Sequence, residues 1–570
     1  MTVASSVSAA GPRERPGDGW RWLRRVGLVL LAAIPTAALL VFFCYPVLTL
    51  LGRGLFVDGR LDLSAFGDVF ARPRMRSLVA FTIWQAAASA VLCLLLGIPG
   101  AYLLYRKRFP GRAVLRAVLT MPLVLPTVVV ALAFKILLTP GGPLGSWGLD
   151  ETVAAILAAH VFLNYGMVVR TVGSSWAVLD DRPLAAARSL GATPLRAFLT
   201  VTLPALGPAI TGAFTMVFLF CATSFGIVLI LGAGRLNTLE TEIYRQTQEF
   251  LDLRTAAVLS IAQLVLVTLL LVVVAALRRR TDTTQRLDSG VRRPTRFGLG
   301  DAVAAVVTTL VALAFLGVLG TLVLRSLREP GGGFGLANYA ALGTVGQDNL
   351  MLVPATTALA NSLRAAALAA VLAVIVGVAL SVVLARRPRS RAARRLLGAV
   401  DGFMMLPLGV SAVTVGFGFL IALDSPPLDL RSSPLLVPIA QALVALPLVV
   451  RMVLPVLRGI DDRLRQAAAS AGAPPLRVWW TVDLPIARRA FGGAAAFAFA
   501  VALGEFGATS FLATPQRPTL PVLIARLIGR PGELNTGMAL AAAVLLALLC
   551  ALVLLVVEAV SGANARIGGF

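Results

Sequence analysis

The chain has 570 residues, of which 58% are hydrophobic and 14% are charged, a composition that excludes a soluble globular protein and indicates a polytopic membrane protein. Its formal charge of +24 does not indicate nucleic-acid binding, because the arginines cluster at the ends of apolar runs, where they set membrane topology. The four cysteines all lie inside apolar runs without paired spacing, which argues against disulfides and against a metal site.

Apolar runs of about 20 residues can cross a bilayer as helices, and the chain contains twelve of them. The first run follows a basic N-terminal tail but is too long for the core of a signal peptide, so we interpret it as a retained span. The runs of the first half are 26–51, 77–105, 114–138, 152–176, 203–231 and 255–277. Those of the second half are 301–324, 357–385, 396–423, 434–457, 484–513 and 536–560.

These runs predict an all-α membrane protein of about twelve helices in two tandem six-helix halves. The predicted parts are an N-terminal tail (1–25), a first half (26–277), a polar linker (278–300), a second half (301–560) and a C-terminal tail (561–570).

The basic residues of the short loops predict how the two halves are oriented. Five basic residues crowd the loop between Arg106 and Arg116, whereas the next loop, Thr139 to Glu151, has none. Six arginines lie between positions 386 and 395 in the second half, again after the second run of that half. Because basic short loops stay in the cytoplasm, we expect both halves to share one orientation, with the linker and both termini in the cytoplasm.

Prolines lie inside several apolar runs. Pro122, Pro126 and Pro407 remove a backbone donor and are predicted to break the helical hydrogen-bond ladder. Such kinks shape a pathway in some membrane proteins and only the helix packing in others, and the sequence does not distinguish the two.

The stretch 180–204 occurs twice in the chain. It recurs without a gap as 461–485, an offset of 281 residues, and the same offset pairs Phe225 with Phe506. In the first copy Gly191 permits the left-handed conformation that ends a helix, and Pro194 suits the first position of a second helix that Thr193 can cap. Both copies therefore predict a helix, a turn and a helix before the next apolar run.

Each copy resembles the EAA loop of ABC importer permeases, whose pattern is Glu-Ala-Ala, three residues, Gly, nine residues and Ile-Xaa-Leu-Pro. The spacing matches twice, but the Glu position holds Ala185 in one copy and Gln466 in the other, and Val replaces Ile in both. Without a carboxylate this position cannot form the ion pair that a glutamate would form, but the predicted shape of the loop is unaffected. The alternative is an ordinary turn copied by duplication. The motif positions are Ala185, Ala186, Ala187, Gly191, Leu203 and Pro204, then Gln466, Ala467, Ala468, Gly472, Leu484 and Pro485.

The resemblance implies partners. In ABC importers this loop forms a coupling helix that lies in a groove on a cytoplasmic ATPase, so two loops imply two ATPase copies, which bind ATP and Mg²⁺. It also implies an extracytoplasmic substrate-binding protein, a multi-pass location in the cell membrane, and no cofactor or enzymatic activity in this chain. In agreement, the only lysines, Lys107 and Lys135, belong to no Gly-Lys-Ser/Thr phosphate loop.

The resemblance narrows to the fused two-half permeases of thiamine and ferric-iron importers, and the thiamine type is the more similar. The stretches that carry it are 108–112 (RFPGR), 160–164 (HVFLN), 240–244 (ETEIY), 504–507 (GEFG) and 519–521 (TLP). It implies thiamine or a similar cation as substrate, with ferric iron as the alternative. A second alternative is a secondary transporter with internal repeats, which is not expected to carry paired hairpins.

Glu505 is the one acidic residue in the eleventh run and stands where the first half has Ser224. A carboxylate at mid-membrane depth costs on the order of 3 kcal/mol, so it should face a path or a partner rather than lipid. Two interpretations remain: Glu505 and Ser224 line the translocation path, or Glu505 caps a backbone or pairs with a neighbour such as Arg517. The single histidine, His160, is interpreted as a hydrogen-bonded interior residue.

Overall fold

The computed structural model describes residues 31–281, 295–296, 301–329, 331–347, 351–385, 390–405, 410–424, 426 and 428–562. Within them the protein is almost entirely helical, which confirms the predicted all-α class. The strands are β1 (Phe56–Val57) antiparallel to β2 (Arg60–Leu61), and β3 (Lys107–Arg108) parallel to β4 (Thr295–Arg296). The predicted N-terminal tail, most of the linker, Pro407 and half of the arginines between 386 and 395 lie outside the described residues.

The helices of the first half are α1 (Leu31–Leu55), α2 (Ser64–Ala71), α3 (Pro73–Arg106), α4 (Arg112–Thr120), α5 (Thr127–Leu138), α6 (Val153–Ala177), α7 (Arg182–Ser189), α8 (Pro194–Ala205), α9 (Gly207–Ala222), α10 (Gly226–Leu231), α11 (Leu239–Gln248) and α12 (Leu253–Thr281). Those of the second half are α13 (Ala302–Ser326), α14 (Ala337–Ala340), α15 (Ala355–Leu384), α16 (Arg391–Met405), α17 (Ala412–Ala422), α18 (Leu436–Gly459), α19 (Asp462–Ser470), α20 (Pro475–Gly504), α21 (Thr509–Leu512), α22 (Leu520–Ile528) and α23 (Glu533–Gly562).

The number of membrane-spanning helices approaches the predicted twelve. In the described part of the chain, nine helices are long and apolar enough to cross a membrane, and two bent pairs, α4 with α5 and α8 with α9, raise the number to at most eleven. The remaining predicted span, 396–423, is divided between α16 and α17, and the residues 406–409 between them lie outside the described part. A polytopic helical protein is confirmed, and the count of twelve is not.

Three further predicted spans are interrupted where the sequence analysis expected one helix. The span 114–138 turns by 106° at Pro126, which confirms that this proline breaks the ladder. The span 203–231 bends by 68° before Pro208 and ends at Ala222. The span 484–513 ends at Gly504. The hydropathy of these stretches is continuous, because hydropathy does not depend on the missing N–H of a proline or on the direction of the backbone.

Each half is built on a core of three helices that pack against one another, α3, α6 and α9 in the first and α15, α18 and α20 in the second. Glycines let the backbones approach closely, as membrane helices require. A Cβ at Gly97 would lie 2.7 Å from Cγ1 of Val168, and one at Gly377 would lie 2.7 Å from Cγ1 of Val449. Val168 and Val449 are equivalent under the 281-residue offset and the two glycines are 280 residues apart, so the duplication extends to the packing of these helices with a shift of one residue at the glycine.

The first helix of each half crosses to the other half. Helix α1 packs on α17, and α13 packs on α3 and α5. Gly418 of α17 leaves room for Pro46 of α1, since a Cβ at Gly418 would lie 3.3 Å from Cβ of Pro46. Phe315 of α13 packs against the rings of Phe162 and Tyr165 of α6, with centroids 4.6 and 5.6 Å apart. The two halves are therefore interlocked rather than placed side by side.

Both copies of the repeated stretch lie on the same face of the protein, which we name the hairpin face. Lys107, at the end of α3, forms a 3.0 Å ion pair with Asp301, so α13 begins on the face where the first copy follows α6. Helix α13 then runs to the opposite face and α15 runs back to the hairpin face. Arg458 at the end of α18 donates to the carbonyl of Leu384 at the end of α15, so α18 ends on the hairpin face, where the second copy follows it. The loop 139–152 and the described residues of the loop between α17 and α18 lie on the opposite face, which we name the far face.

Candidate functional site

The first hairpin (180–204) and the second hairpin (461–485) have the same backbone shape. Gly191 and Gly472 both adopt φ of +84°, which confirms the left-handed conformation predicted for Gly191. In the first hairpin the N–H of Ala192 donates to the carbonyl of Ala187 at 3.1 Å, and the second repeats this bond at 3.0 Å. Thr193 accepts from the N–H of Arg196 at 3.3 Å, which confirms its predicted cap.

Both hairpins expose apolar side chains at equivalent positions. Leu195 and Leu476 are each 68% exposed, and Leu199 is matched by Trp480, which is 60% exposed. The motif alanines Ala185 and Ala186, and Gln466 and Ala467, are also exposed, whereas Ala187 and Ala468 are half-buried. Two matched apolar patches at the exposed ends of these helices are typical of surfaces that bind another protein.

The Leu-Pro pairs do not begin a new helix. Leu203-Pro204 and Leu484-Pro485 each follow a π-helical turn, Phe198–Thr202 in one half and Trp479–Asp483 in the other. The N–H of Leu203 donates to the carbonyl of Phe198, five residues earlier, and this wider turn accommodates the missing donor of the proline. In the second hairpin the short helix is therefore continuous with the helix that runs to Gly504, so a displacement of this hairpin is transmitted along one element, whereas in the first hairpin the continuous helix ends at Ala205.

The two hairpins differ in what holds them. In the second, the Arg465 guanidinium donates to Asp483 at 2.8 Å, to Asp462 at 2.6 Å and to the carbonyl of Leu457 at 3.1 Å. Burial lowers the pKa of Arg465, but the two carboxylates outweigh it and the net effect is a raised pKa. The first hairpin has Leu184 at this position. Sequence reasoning missed this clamp, although an arginine between two aspartates in only one of two repeats was a visible signal.

In the first hairpin the support comes from outside the repeat. Arg106, at the end of α3, donates to the carboxylate of Asp181 and to the carbonyl of Trp176. Neither Ala185 nor Gln466, the residues at the motif's Glu position, takes part in these contacts. The ion pairs that hold both hairpins therefore do not depend on a carboxylate at that position.

A cluster of aromatic rings lies where the two halves meet. Phe225 and Phe506, which are equivalent in the duplication, stack with centroids 5.1 Å apart and planes inclined by 24°. Tyr244 of α11 lies 5.2 Å from Phe225 and 5.5 Å from Phe511 of α21. We name these four residues the central aromatic cluster. Because equivalent residues of the two halves touch here, the axis that relates the halves passes between Phe225 and Phe506.

Glu505 lies beside this cluster and ends α20. It is buried, its Oε1 accepts from the N–H of Ala508 at 2.7 Å, and its Oε2 accepts from the N–H of Thr509 at 3.0 Å. The carboxylate thus caps the turn that begins α21 and binds backbone donors rather than Arg517. Ser224 is also buried, and its hydroxyl has no hydrogen-bond partner among the described residues. That these two residues line a path stays a prediction.

Two further carboxylates are buried on α11, and the sequence analysis did not single them out as site residues. Glu242 accepts from Nε2 of Gln246 at 2.7 Å and lies 3.7 Å from Arg74 and 3.9 Å from Arg245. Glu240 accepts from Nε2 of Gln263 at 3.0 Å. The signal available was a pair of acidic residues between two apolar runs, two positions apart and so on different sides of a helix.

A cavity of about 380 Å³ opens on the far face between the halves. The end of α11 and the start of α12 line one side, and the end of α17 with the loop after it lines the other. Asp424 and Arg431 of that loop form an ion pair at 4.0 Å. The lining residues are Arg53, Thr247, Gln248, Leu251, Leu253, Leu420, Ile421, Asp424 and Arg431.

His160 is buried in α6, and its Nδ1 lies 3.1 Å from the hydroxyl of Ser89 on α3. The predicted interior, hydrogen-bonded histidine is confirmed. Within the described ranges no three His, Cys, Asp or Glu side chains are grouped so that they could hold a metal ion.

Comparison with known proteins identifies the family to which the chain belongs. The family described as binding-protein-dependent transport system inner membrane component matches residues 93–283 and 377–563, more than half of the chain. The thiamine transport system permease protein ThiP of Brucella abortus (strain 2308) is 28% identical over 98% of this chain and 97% of its own length. The ThiP protein of Escherichia coli (strain K12) is 29% identical over 86% and 90%. A crystal structure of a bacterial ABC transporter that imports the polysaccharide alginate matches 47% of this chain and 100% of its own, at 17% identity and a TM-score of 0.40.

Proposed function

The chain belongs to the binding-protein-dependent transport system inner membrane components, the permease subunits of ABC importers, and from this premise we propose that it conducts a thiamine-like organic cation into the cytoplasm. As a permease it is a transport subunit and not an enzyme, and it works with an ATPase and a substrate-binding protein. The observation that supports thiamine as the substrate is the similarity to two permeases named for thiamine transport, one of which matches 98% of this chain.

The two hairpins are the proposed docking sites for two copies of the ATPase, which binds ATP and Mg²⁺. Their matched shape and exposed Leu195 and Leu476 suit two identical grooves. In this proposal the hairpin face is cytoplasmic, which puts both termini there as well. The far face then receives the binding protein, and the cavity of about 380 Å³ is the entrance for its substrate.

The central aromatic cluster is the proposed gate, and it is closed in this structure. The stack of Phe225 on Phe506 joins the two halves, and α20 connects the second hairpin directly to Glu505 and Phe506. Movement of the hairpins by the ATPase would separate the rings. Glu505 and Ser224 are the residues next to the stack in sequence and are proposed to border the opened path.

Reconstitution tests this function. The permease, its ATPase and its binding protein are assembled in lipid vesicles, and uptake of labelled thiamine is measured with and without MgATP. We expect uptake that requires ATP, the ATPase and the binding protein. Uptake of ferric ion but not of thiamine would show that thiamine is not the substrate. ATP-independent uptake driven by an ion gradient would show that the protein is a secondary transporter.

A further inference from the structure

We propose that Glu240 is the counter-charge of a substrate site between the two halves, and that this site takes an organic cation with a flat, charged ring. The inference rests on the proposed transport function and goes further, because it names the residue that selects the charge of the substrate. Four features of Glu240 support this site: its contacts, its depth in the protein, the aromatic rings near it and its distance from the cavity.

Glu240 has an unused acceptor. Its side chain is fully buried, and Oε1 accepts from Nε2 of Gln263 at 3.0 Å. Oε2 has no hydrogen-bond donor in the described part of the chain. The hydroxyl of Ser411, in the second half, lies close enough to interact with this carboxylate, and it also donates to Oγ1 of Thr414 at 2.9 Å. A buried carboxylate with a free oxygen and no cationic partner is costly, and inside a membrane protein it marks a functional site.

The position of Glu240 suits a site on the path. Gln263 lies ten residues into α12, about 15 Å along the helix from the far-face end. Gln263 also donates to the carbonyl of Ala222 at 3.5 Å, where α9 ends. Ser411 belongs to the second half, whereas Glu240 belongs to the first. Glu240 is therefore held well below the far face, at the interface that must open for a substrate to pass.

Aromatic rings lie on the same side of α11 as Glu240. Tyr244 is one helical turn further along, and it contacts Phe225 at 5.2 Å and Phe511 at 5.5 Å. The faces of such rings attract cations, and flat rings stack on them. A carboxylate next to stacked rings therefore favours a delocalised cationic ring over a neutral ring of the same shape, and disfavours an anion.

The cavity on the far face gives the site an approach. Thr247 lines the cavity and lies seven residues from Glu240 on α11, about 10 Å along the helix. Tyr244 lies between them on the same helix. In this structure the stack of Phe225 and Phe506 closes the interface. Phe225 also contacts Tyr244, so separation of the stacked rings would open the interface one helical turn from Glu240.

The other three carboxylates that are buried among the described residues do not offer this chemistry. Both oxygens of Glu505 accept backbone N–H groups, Glu242 faces Arg74 and Arg245, and Asp301 pairs with Lys107. The position equivalent to Glu240 in the second half is Pro521, so the site carries one negative charge rather than two. One charge matches a substrate with a single fixed positive charge.

The first experiment compares Glu240→Gln with Glu242→Gln, its control on the same helix. Uptake of labelled thiamine and the unfolding temperature are measured for the full complex in vesicles and for the purified chain. Glutamine keeps the acceptor for Gln263 and removes a carboxyl group whose charged form is disfavoured by burial, so we expect Glu240→Gln to lower uptake at least tenfold with an unchanged or raised unfolding temperature. Glu242→Gln should retain uptake within about twofold, and Glu240→Asp should retain more uptake than Glu240→Gln.

The second experiment does not depend on thiamine. Cysteine is introduced as Glu240→Cys or, as control, Glu242→Cys in a chain whose four native cysteines are replaced by alanine. The complex is treated with a trimethylammonium-bearing or a sulfonate-bearing methanethiosulfonate, with and without MgATP and the binding protein. We expect the cationic reagent to label Glu240→Cys at least tenfold faster than the anionic reagent during ATP turnover, and to leave Glu242→Cys unlabelled.

The outcomes separate this inference from the proposed function. Charge-selective labelling of Glu240→Cys in a complex that does not transport thiamine would support the cation site and reject thiamine as substrate. Thiamine uptake that survives Glu240→Gln, or labelling that ignores reagent charge or ATP, would overturn the cation site and leave the transport function standing. A fall of uptake together with the unfolding temperature in Glu240→Gln would also overturn it, because a structural role predicts that result.

Discussion

The turn glycines of the two hairpins offer the sharpest test of coupling, by the double substitution Gly191→Val and Gly472→Val. Both residues adopt φ of +84°, a conformation that costs a residue with a side chain roughly 1–2 kcal/mol and a β-branched one more. A Cβ at either position would meet nothing within 4 Å, so valine causes no clash and the cost is backbone strain alone. Because the hairpins are exposed, they can relieve the strain by changing shape.

A changed shape weakens docking while the fold stays intact. If the strain of about 1–2 kcal/mol per hairpin must be restored on binding, the two hairpins together lose about 2–4 kcal/mol, or roughly 30- to 900-fold in affinity for the ATPase. The assay is the Kd of the detergent-solubilised permease for its ATPase, with the unfolding temperature as a check on folding. We expect the double valine variant to bind in this weakened range at an unchanged unfolding temperature.

The control is the double substitution Gly191→Asn and Gly472→Asn, because asparagine tolerates the left-handed region. It should bind within a few-fold of the unmodified chain, and the double alanine variant should fall between. Wild-type affinity in the double valine variant would refute the argument from backbone strain. Equal losses in the asparagine and valine variants would refute it too, because the groove would then be rejecting any side chain.

Three other predictions concern the orientation in the membrane, Glu505 and the stacked rings. A Thr283→Cys variant, in the linker outside the described residues, should react with a membrane-permeant thiol reagent in intact cells and resist an impermeant one; reaction with the impermeant reagent would reverse the proposed orientation. Glu505→Gln keeps one carbonyl oxygen for the two backbone donors that now bind the carboxylate, so it should lower the stability by roughly 1–3 kcal/mol, measured as unfolding in detergent; unchanged stability would refute this capping role, and lost uptake at unchanged stability would leave only the proposed place on the path. Phe225→Ala with Phe506→Ala removes a stacked pair worth about 0.5–1.5 kcal/mol beyond its buried area, and should let thiamine cross vesicles without ATP; tight vesicles with normal ATP-driven uptake would show that the rings are not the gate.

The hairpins were the most predictable part of this protein. Their shape depends on a few local residues at fixed spacing, and Gly191, Thr193 and Pro194 do what such residues do in any chain. The duplication doubled the signal, because a spacing that occurs twice is rarely accidental. What remained hidden was the difference between the copies, since Arg465 is held by Asp483, which lies beyond the turn and inside the next helix.

The centre of the protein was less predictable. The spans that end at Ala222 and Gly504 continue in the sequence as apolar runs, and hydropathy carries no information on backbone direction. The sequence marks Glu505 because this residue interrupts such a run, but its backbone partners follow from the fold alone. The sequence does not mark Glu240 as a site residue, because α11 contains Glu, Thr and Gln and is too polar for a span, although the fold buries Glu240 completely.

The interlocking of the halves has a consequence for how the protein is made. Helix α1 packs on α17, with Phe42 and Phe419 rings 6.4 Å apart, yet 356 residues separate the end of one helix from the start of the other. At a synthesis rate of about 5–20 residues per second, α1 waits in the bilayer for roughly 20–70 s before the ribosome delivers its partner. During that interval the surface that α17 will cover faces lipid or an insertion factor. A ribosome that stalls within this window leaves α1 without its neighbour, so cellular quality control has a definite exposed surface by which to recognise the unfinished chain.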